Sequence, residues 1–294
     1  KQLEELAADP SLSSVIRPAF GLHPWKADQI SFLAMEPWLL KASVIGEIGL
    51  DSVWCSVPLS VQEKAFCAQL ELASAMKKPV VLHTKGQEKH IARLIRAYPN
   101  TYLVHWYSGE EGLSDFLDLD CYFTIGPDVF YQPAVQKAAV LAPENRLLVE
   151  TDGCSAVKWA YEQASFCKRP LPPWNDIKAV LNHSIDTIAS LRGISPESLA
   201  VKMEETFRKI NLEAAAEISR QLRLRNLSGI ILIDFINMEN PDHRDELFHV
   251  LQKLLRKDPI KSRAIDITPL HILEMTRKKV RRPVIEDIRE LAKK

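Results

Sequence analysis

Val44-Ile45-Gly46-Glu47-Ile48-Gly49-Leu50-Asp51 is the stretch on which the reading of this chain turns. An apolar run stops at a glycine, presents a carboxylate and passes through a second glycine. That order predicts a buried strand ending at Glu47, with the glycines letting the backbone turn tightly beside it. A carboxylate at the end of a buried strand is costly unless positive charge meets it. Three later apolar runs, at 79–83, 101–105 and 146–150, also lead into residue types that bind metals: His83, His105 and Asp152.

Around these runs strands and helices alternate. Strands are predicted at 14–20, 42–48, 79–83, 101–105, 121–125 and 146–150, and helices at 2–8, 31–40, 60–77, 88–97, 109–117 and 134–142. Within 60–77, Phe66, Leu70 and Ala73 recur at helical spacing. Alternation of this kind is the pattern of parallel βαβ units, an α/β fold with strands buried on both faces. In such a barrel or sheet all strand C-terminal ends lie on one face. Glu47, His83, His105 and Asp152 would then crowd one rim without being neighbours in sequence. A single histidine after a strand is commonly just a satisfied polar residue. Four ligand types at four strand ends point instead to a divalent metal, with zinc, manganese or magnesium all suited to two carboxylates and two imidazoles. A carboxylate shared by two such ions is a common device for cutting phosphodiesters.

The chain continues with prolines at 170, 172 and 173, then helices at 175–192 and 196–209. A different texture begins near Glu204: a charged helix at 212–225, a very apolar strand at 230–236, a helix at 241–257 and a short strand at 265–267. The remainder reads as helical and basic, interrupted by Pro283.

Composition narrows the class. The 294 residues are 46% hydrophobic and 26% charged, with zero net charge, as in ordinary globular proteins. Net charge therefore argues neither for nor against nucleic acid, and the part after Asn211 carries only roughly four excess positive charges. Cys55, Cys67, Cys121, Cys154 and Cys167 lie in no zinc spacing, and their odd number fits a reduced, cytoplasmic protein. No apolar run approaches the roughly 18 residues of a membrane span. The first residues read as an amphipathic helix rather than a signal peptide, and no initiating Met precedes them.

Gly21-Leu-His-Pro24, Gly46-Glu-Ile-Gly-Leu-Asp51, Val81-Leu-His-Thr84, Val104-His-Trp-Tyr-Ser-Gly109 and Leu148-Val-Glu-Thr-Asp152 together resemble the successive motifs of the TatD family of metal-dependent deoxyribonucleases. The resemblance covers 1–209 and implies a TIM-barrel fold, one or two divalent metal ions (Zn, Mg or Mn) and a DNA substrate. It implies that Glu47 bridges two metals, that His83 and His105 bind one of them, and that Asp152 holds or activates the attacking water. His23 would line the pocket and position phosphate, and Arg169 is a further candidate phosphate contact. The family's opening His-x-His strand has no counterpart here, so the implied (β/α)8 barrel is incomplete by two strands. The proline that usually follows the last aspartate is replaced by Gly153.

Glu204-Glu-Thr206, Ile210-Asn-Leu-Glu-Ala-Ala215, Arg220-Gln-Leu-Arg-Leu-Arg-Asn226, Ile233-Asp-Phe-Ile-Asn-Met238 and Leu273-Glu-Met-Thr-Arg277 resemble part of the ribonuclease E/G family over about 204–282. That resemblance makes Asp234 a second candidate magnesium ligand, although the partner Asp-Ile-Asn motif and the Cys-Pro-x-Cys zinc link are absent. From the residues alone, Asp234 is equally a structural carboxylate.

The chain therefore reads as a fusion or chimera: a TatD-like barrel over 1–209 and a smaller C-terminal α/β segment over 210–294. One expectation is that strands near 229–235 and 261–267 cover the open edges of the shortened barrel. The principal functional expectation is a metal-dependent hydrolase cutting DNA phosphodiesters. The alternatives are an inactive scaffold binding nucleic acid through basic C-terminal helices, or an RNA-processing fragment.

Overall fold

In the computed structural model, residues 19–164, 170–236, 238, 240–268 and 272–280 are described. The chain divides into two compact units, Pro18–Met203 and a second whose described part begins at Glu204.

The first unit holds six strands: β1 (Ala19–Phe20), β2 (Val44–Asp51), β3 (Val80–Lys85), β4 (Tyr102–Val104), β5 (Tyr122–Ile125) and β6 (Leu147–Val149). They form one sheet in chain order, every neighbouring pair parallel. Helices intervene, among them Leu59–Met76, Glu88–Ile95, Leu113–Asp118 and Pro133–Leu141. Parallel strands need such crossovers, because a tight hairpin cannot return the chain to the same end. Sequential parallel strands alternating with helices are the construction of a (β/α)8 barrel, here six strands among the described residues.

Burial explains the sheet's composition. Ile45, Ile48, Leu50, Leu82, Val104, Phe123 and Ile125 are sealed from solvent, and helix residues Phe66, Leu70, Ile91, Ile95 and Val135 close over them in one core. Each such large side chain contributes about 1.5–3 kcal/mol on burial. The helix Ile177–Arg192 adds Ile188 and Ala189 to that core; Asp176 caps its start by accepting the Ala179 amide at 3.0 Å, and Gly193 (φ 65°) stops it in a left-handed turn.

Several sequence expectations need correction. Strand β2 does not end at Glu47 but runs on to Asp51, with a register shift between Ile45 and Ile48. Gly49 is what lets it continue: a Cβ there would stand 1.8 Å from the His83 carbonyl oxygen. A helix at Cys154–Gln163 was not anticipated; its buried Val157 and Ala160 sit at helical spacing but are too small to signal it. The helices expected at 196–209 and 212–225 are one helix, Pro196–Leu224, and the unit boundary falls inside it. No proline or glycine interrupts that stretch to break it.

The second unit contains β7 (Gly229–Asp234), β8 (Ser262–Ile267) and β9 (Ile272–Arg277) in an antiparallel sheet of order β7-β9-β8. Strand β9 was expected to be helical because Leu, Glu and Met favour helices. Its alternating burial, with Leu273, Met275 and Arg277 inside, is a strand pattern of period two. The notion that the later strands cover the first sheet's edges also fails: β7 and β8 both pair with β9 in a separate sheet. Leu247, Leu251 and Leu255 of the helix Pro241–Leu255 share a core with Ile233, Phe235, Leu273 and Met275. Arg277 is buried and donates to Asp258 Oδ2 at 2.8 Å, to the Leu227 carbonyl at 2.8 Å and to Asn226 Oδ1 at 3.1 Å.

Candidate metal centre

The parallel strands carry Glu47, His83 and the residues just past β4 and β6 into one pocket of about 760 Å³. His23, Glu47, His83, His105 and Asp152 all line it, together with Trp25, Trp54, Lys85, Trp106 and Trp159. Five of the seven site residues expected from sequence thus converge. Arg169 lies outside the described residues. Asp234 is the last residue of β7, and its side chain lies outside the described ones as well.

Glu47 occupies the middle of the cluster. Its Oε2 lies 3.6 Å from His83 Nδ1 and 3.9 Å from His23 Nε2, while Oε1 lies 3.5 Å from His105 Nε2. Asp152 Oδ2 stands 3.9 Å from the same His105 nitrogen. Two trios share Glu47, one with His23 and His83 and the other with His105 and Asp152; within each, one ligand atom per residue lies within 4.8 Å of the others. Tetrahedral ligands at about 2.1 Å from an ion stand about 3.4 Å apart, so these separations fit divalent ions with small adjustments.

The surrounding groups fix which nitrogens face inward. Asp51, fully buried at the end of β2, stands 3.0 Å from His83 Nε2. Burial pushes its carboxyl upward, but the Trp25 indole N–H, the Trp54 and Val53 amides and His83 outweigh that and hold it below the usual aspartate range. An ionised Asp51 only accepts, so His83 Nε2 carries the proton and Nδ1 presents its lone pair to the pocket. Glu150 does the same for His105: its Oε2 lies 2.8 Å from Nδ1, and its other oxygen accepts the Trp106 amide at 2.7 Å and the Thr124 hydroxyl. Carboxylates behind histidine ligands in this way fix the tautomer and raise ligand basicity. His23 differs, because its Nδ1 accepts the Trp25 amide at 3.4 Å. That weak contact leaves the proton on Nε2, and ligation by His23 requires the other tautomer.

Charge in the pocket is strongly coupled. Burial raises the Glu47 pKa, but the neighbouring imidazoles of His83, His105 and His23 outweigh it, and the group is held below its ordinary value. Burial lowers His105, yet its hydrogen bond to Glu150 and the charges of Glu150, Glu47 and Asp152 carry it up to about 9, so an ion bound at Nε2 would displace a proton from it. Burial and the neighbouring His83 push His23 down to about 4. Asp152 is raised, by burial and by Glu47 and Glu150. Asp152 (φ 51°) and Trp106 (φ 39°) adopt left-handed backbone, a conformation uncommon for such residues, each at a strand exit beside the pocket.

Sequence reasoning singled out the inner residues and missed those that orient them. Asp51 stood four residues from Glu47, an even spacing consistent with one strand face, and Glu150 stood two before Asp152. Lys85, two residues beyond His83 on β3, was also open to that argument. The tryptophans gave no comparable signal.

A family model described as TatD related DNase matches residues 1–211, and one described as Ribonuclease E/G family matches 196–280. The TatD homolog YJJV from Escherichia coli K12 superposes with a TM-score of 0.55 at 21% identity, covering 70% of this chain and 79% of that one. A hydrolase TatD family protein from Entamoeba histolytica gives 0.50 at 18% identity, covering 64% and 72%. These likenesses establish the fold, a TIM-barrel-like TatD hydrolase fold. Ribonuclease G from Salmonella typhimurium (strain SL1344) is 49% identical over 82 residues, 28% of this chain. Ribonuclease G from Escherichia coli (strain K12) is 46% identical over 82 residues. The match spans only 17% of the length of either ribonuclease. No helix among the described residues is long and apolar enough to cross a membrane. Because the TatD related DNase model matches more than two thirds of this chain, the chain belongs to the TatD related DNase family.

Proposed function

We propose that this chain is a divalent-metal-dependent hydrolase of nucleic-acid phosphodiesters, with DNA as the first substrate to test and RNA the second. The observation that carries the reading is Glu47 placed between two ligand trios, one carboxylate oxygen toward His23 and His83 and the other toward His105. Divalent ions held there would supply Lewis acidity at the phosphoryl group and lower the pKa of a water.

The protein's own residues do the rest. Glu47, His83, His105 and Asp152 are the proposed ligands, and Asp51 and Glu150 hold the two imidazoles in register. Asp152, more than half exposed, is the proposed acceptor for the proton of the attacking water. His23, neutral over the working range because its pKa is pushed down to about 4, can donate Nε2–H to a phosphate oxygen or turn its other tautomer to the first trio. Lys85 adds a cation to the same wall. DNA comes from the matched family's description; RNA enters because the C-terminal segment resembles ribonucleases G. We read 1–209 as the hydrolase part and 210–294 as a separate segment. The free Cys55, Cys67, Cys121 and Cys154 support a reducing cytoplasmic setting.

The test is hydrolysis of single- and double-stranded DNA and of RNA by the purified chain with Zn, Mn or Mg added, against a chelated control. Metal-dependent cleavage supports the reading. Equal rates in the parent and in Glu47→Ala would overturn it.

A further inference from the structure

Trp54 and Trp159 are large aromatic side chains left about half in solvent, at 50% and 41% exposure, beside the metal pocket. Their rings meet edge to face with centroids 5.7 Å apart. Lys85 Nζ lies 5.0 Å from the centre of the Trp54 ring and donates to Ser108 Oγ at 2.5 Å. The same three residues line a second cavity of about 600 Å³, which also takes in Lys89, Arg93 and Ser108. They are therefore the common wall of two adjoining hollows, one of which holds the candidate ligand cluster.

The backbone beneath both indoles is held. Asp51 Oδ1 accepts the amides of Val53 and Trp54 at 2.8 Å each, so the carboxylate that orients His83 also pins the loop bearing Trp54. Trp159 stands on the helix Cys154–Gln163, anchored by buried Val157 and Ala160. A mounted aromatic loses little conformational entropy on taking a ligand. The flat indole face matches any nucleobase, whatever its identity, and an adjacent ammonium matches the phosphate next to that base.

We infer that Trp54, Trp159 and Lys85 form a subsite for an unpaired nucleotide neighbouring the scissile phosphate, the base stacked on exposed indole and its phosphate paired with Lys85. A base inside a duplex has its faces occupied and cannot use this platform, so the bound strand is single at that point. This inference rests on the phosphodiester reading of the metal centre and adds where the rest of the substrate lies.

The test is calorimetric titration of the full chain, as purified with its metal, using a phosphorothioate octathymidylate and an abasic chain of the same length and backbone. The parent should bind the base-bearing chain about 5- to 150-fold more tightly, the range expected for one stacked base. Trp54→Ala and Trp159→Ala should each lose most of that preference without losing metal, while Trp54→Phe and Trp159→Phe keep it. Lys85→Ala should weaken both ligands alike. Equal affinity of the parent for the two chains, no binding of either, or an undiminished preference in both alanine variants would overturn the inference. Metal uptake and hydrolysis of a small phosphodiester with no base preference sinks the subsite and leaves the hydrolase standing. Base preference that depends on Trp54 in a protein without hydrolytic activity does the reverse.

Discussion

Glu150 holds His105 from behind, its Oε2 2.8 Å from Nδ1, so that Nε2 faces Glu47 and Asp152 across the pocket. One carboxylate thereby decides which nitrogen of a proposed ligand is free to bind. The same relation exists between Asp51 and His83, and the two pairs make the pocket a preset arrangement rather than a chance gathering of polar groups.

Removing the orienting charge tests that relation. Glu150→Gln keeps the shape and loses the anion. Metal affinity, read by competition with a chelating dye, should fall about 10- to 100-fold. An unchanged affinity would show that His105 is not held as a ligand by Glu150.

Gly49 tests the packing beneath the site. It pairs with His83 across β2 and β3, and any Cβ would press on the His83 carbonyl. Backbone must therefore move. Gly49→Ala should cost about 1–3 kcal/mol in urea unfolding and displace His83 enough to lower metal content. A variant as stable and as metal-rich as the parent would contradict the register described here.

The second unit offers a test independent of the metal. Arg277 and Asp258 are both buried, with side-chain exposures of 2% and 1%. Asp258→Ala leaves a guanidinium in the interior without its anion and should cost about 3–5 kcal/mol of that unit's stability. Burial raises the Asp258 pKa, but Arg277, the Ile260 amide and Ser262 hold it below the ordinary value. Because the folded pKa is the lower one, the pair's contribution is complete above about pH 4 and is lost as pH falls through the folded value. Stability of the parent that stays flat down to pH 2 would contradict this.

Much of the fold was legible because parallel strands buried on both faces leave continuous apolar runs, and five of those runs matched β2 to β6 to within a few residues. Glu47, His83, His105 and Asp152 were legible because strand ends on one side of such a sheet must meet. Strand β9 was not, since Leu273 and Met275 suit a helix as well as a strand and only cross-strand pairing decided between them. Asp51 and Glu150 stand at even spacing from Glu47 and Asp152, but their role depends on a histidine 32 or 45 positions away, and spacing alone does not name that partner. Trp54 and Trp159, distant in sequence and in contact only through the fold, were beyond reach for the same reason.

The most direct test of the account is the divalent metal content of the parent and of Glu47→Ala, measured by elemental analysis alongside phosphodiester hydrolysis. The shared carboxylate predicts about two ions per parent chain, fewer in the variant, and a rate lower by about a thousandfold or more. Metal content and rate in Glu47→Ala equal to those of the parent would contradict it.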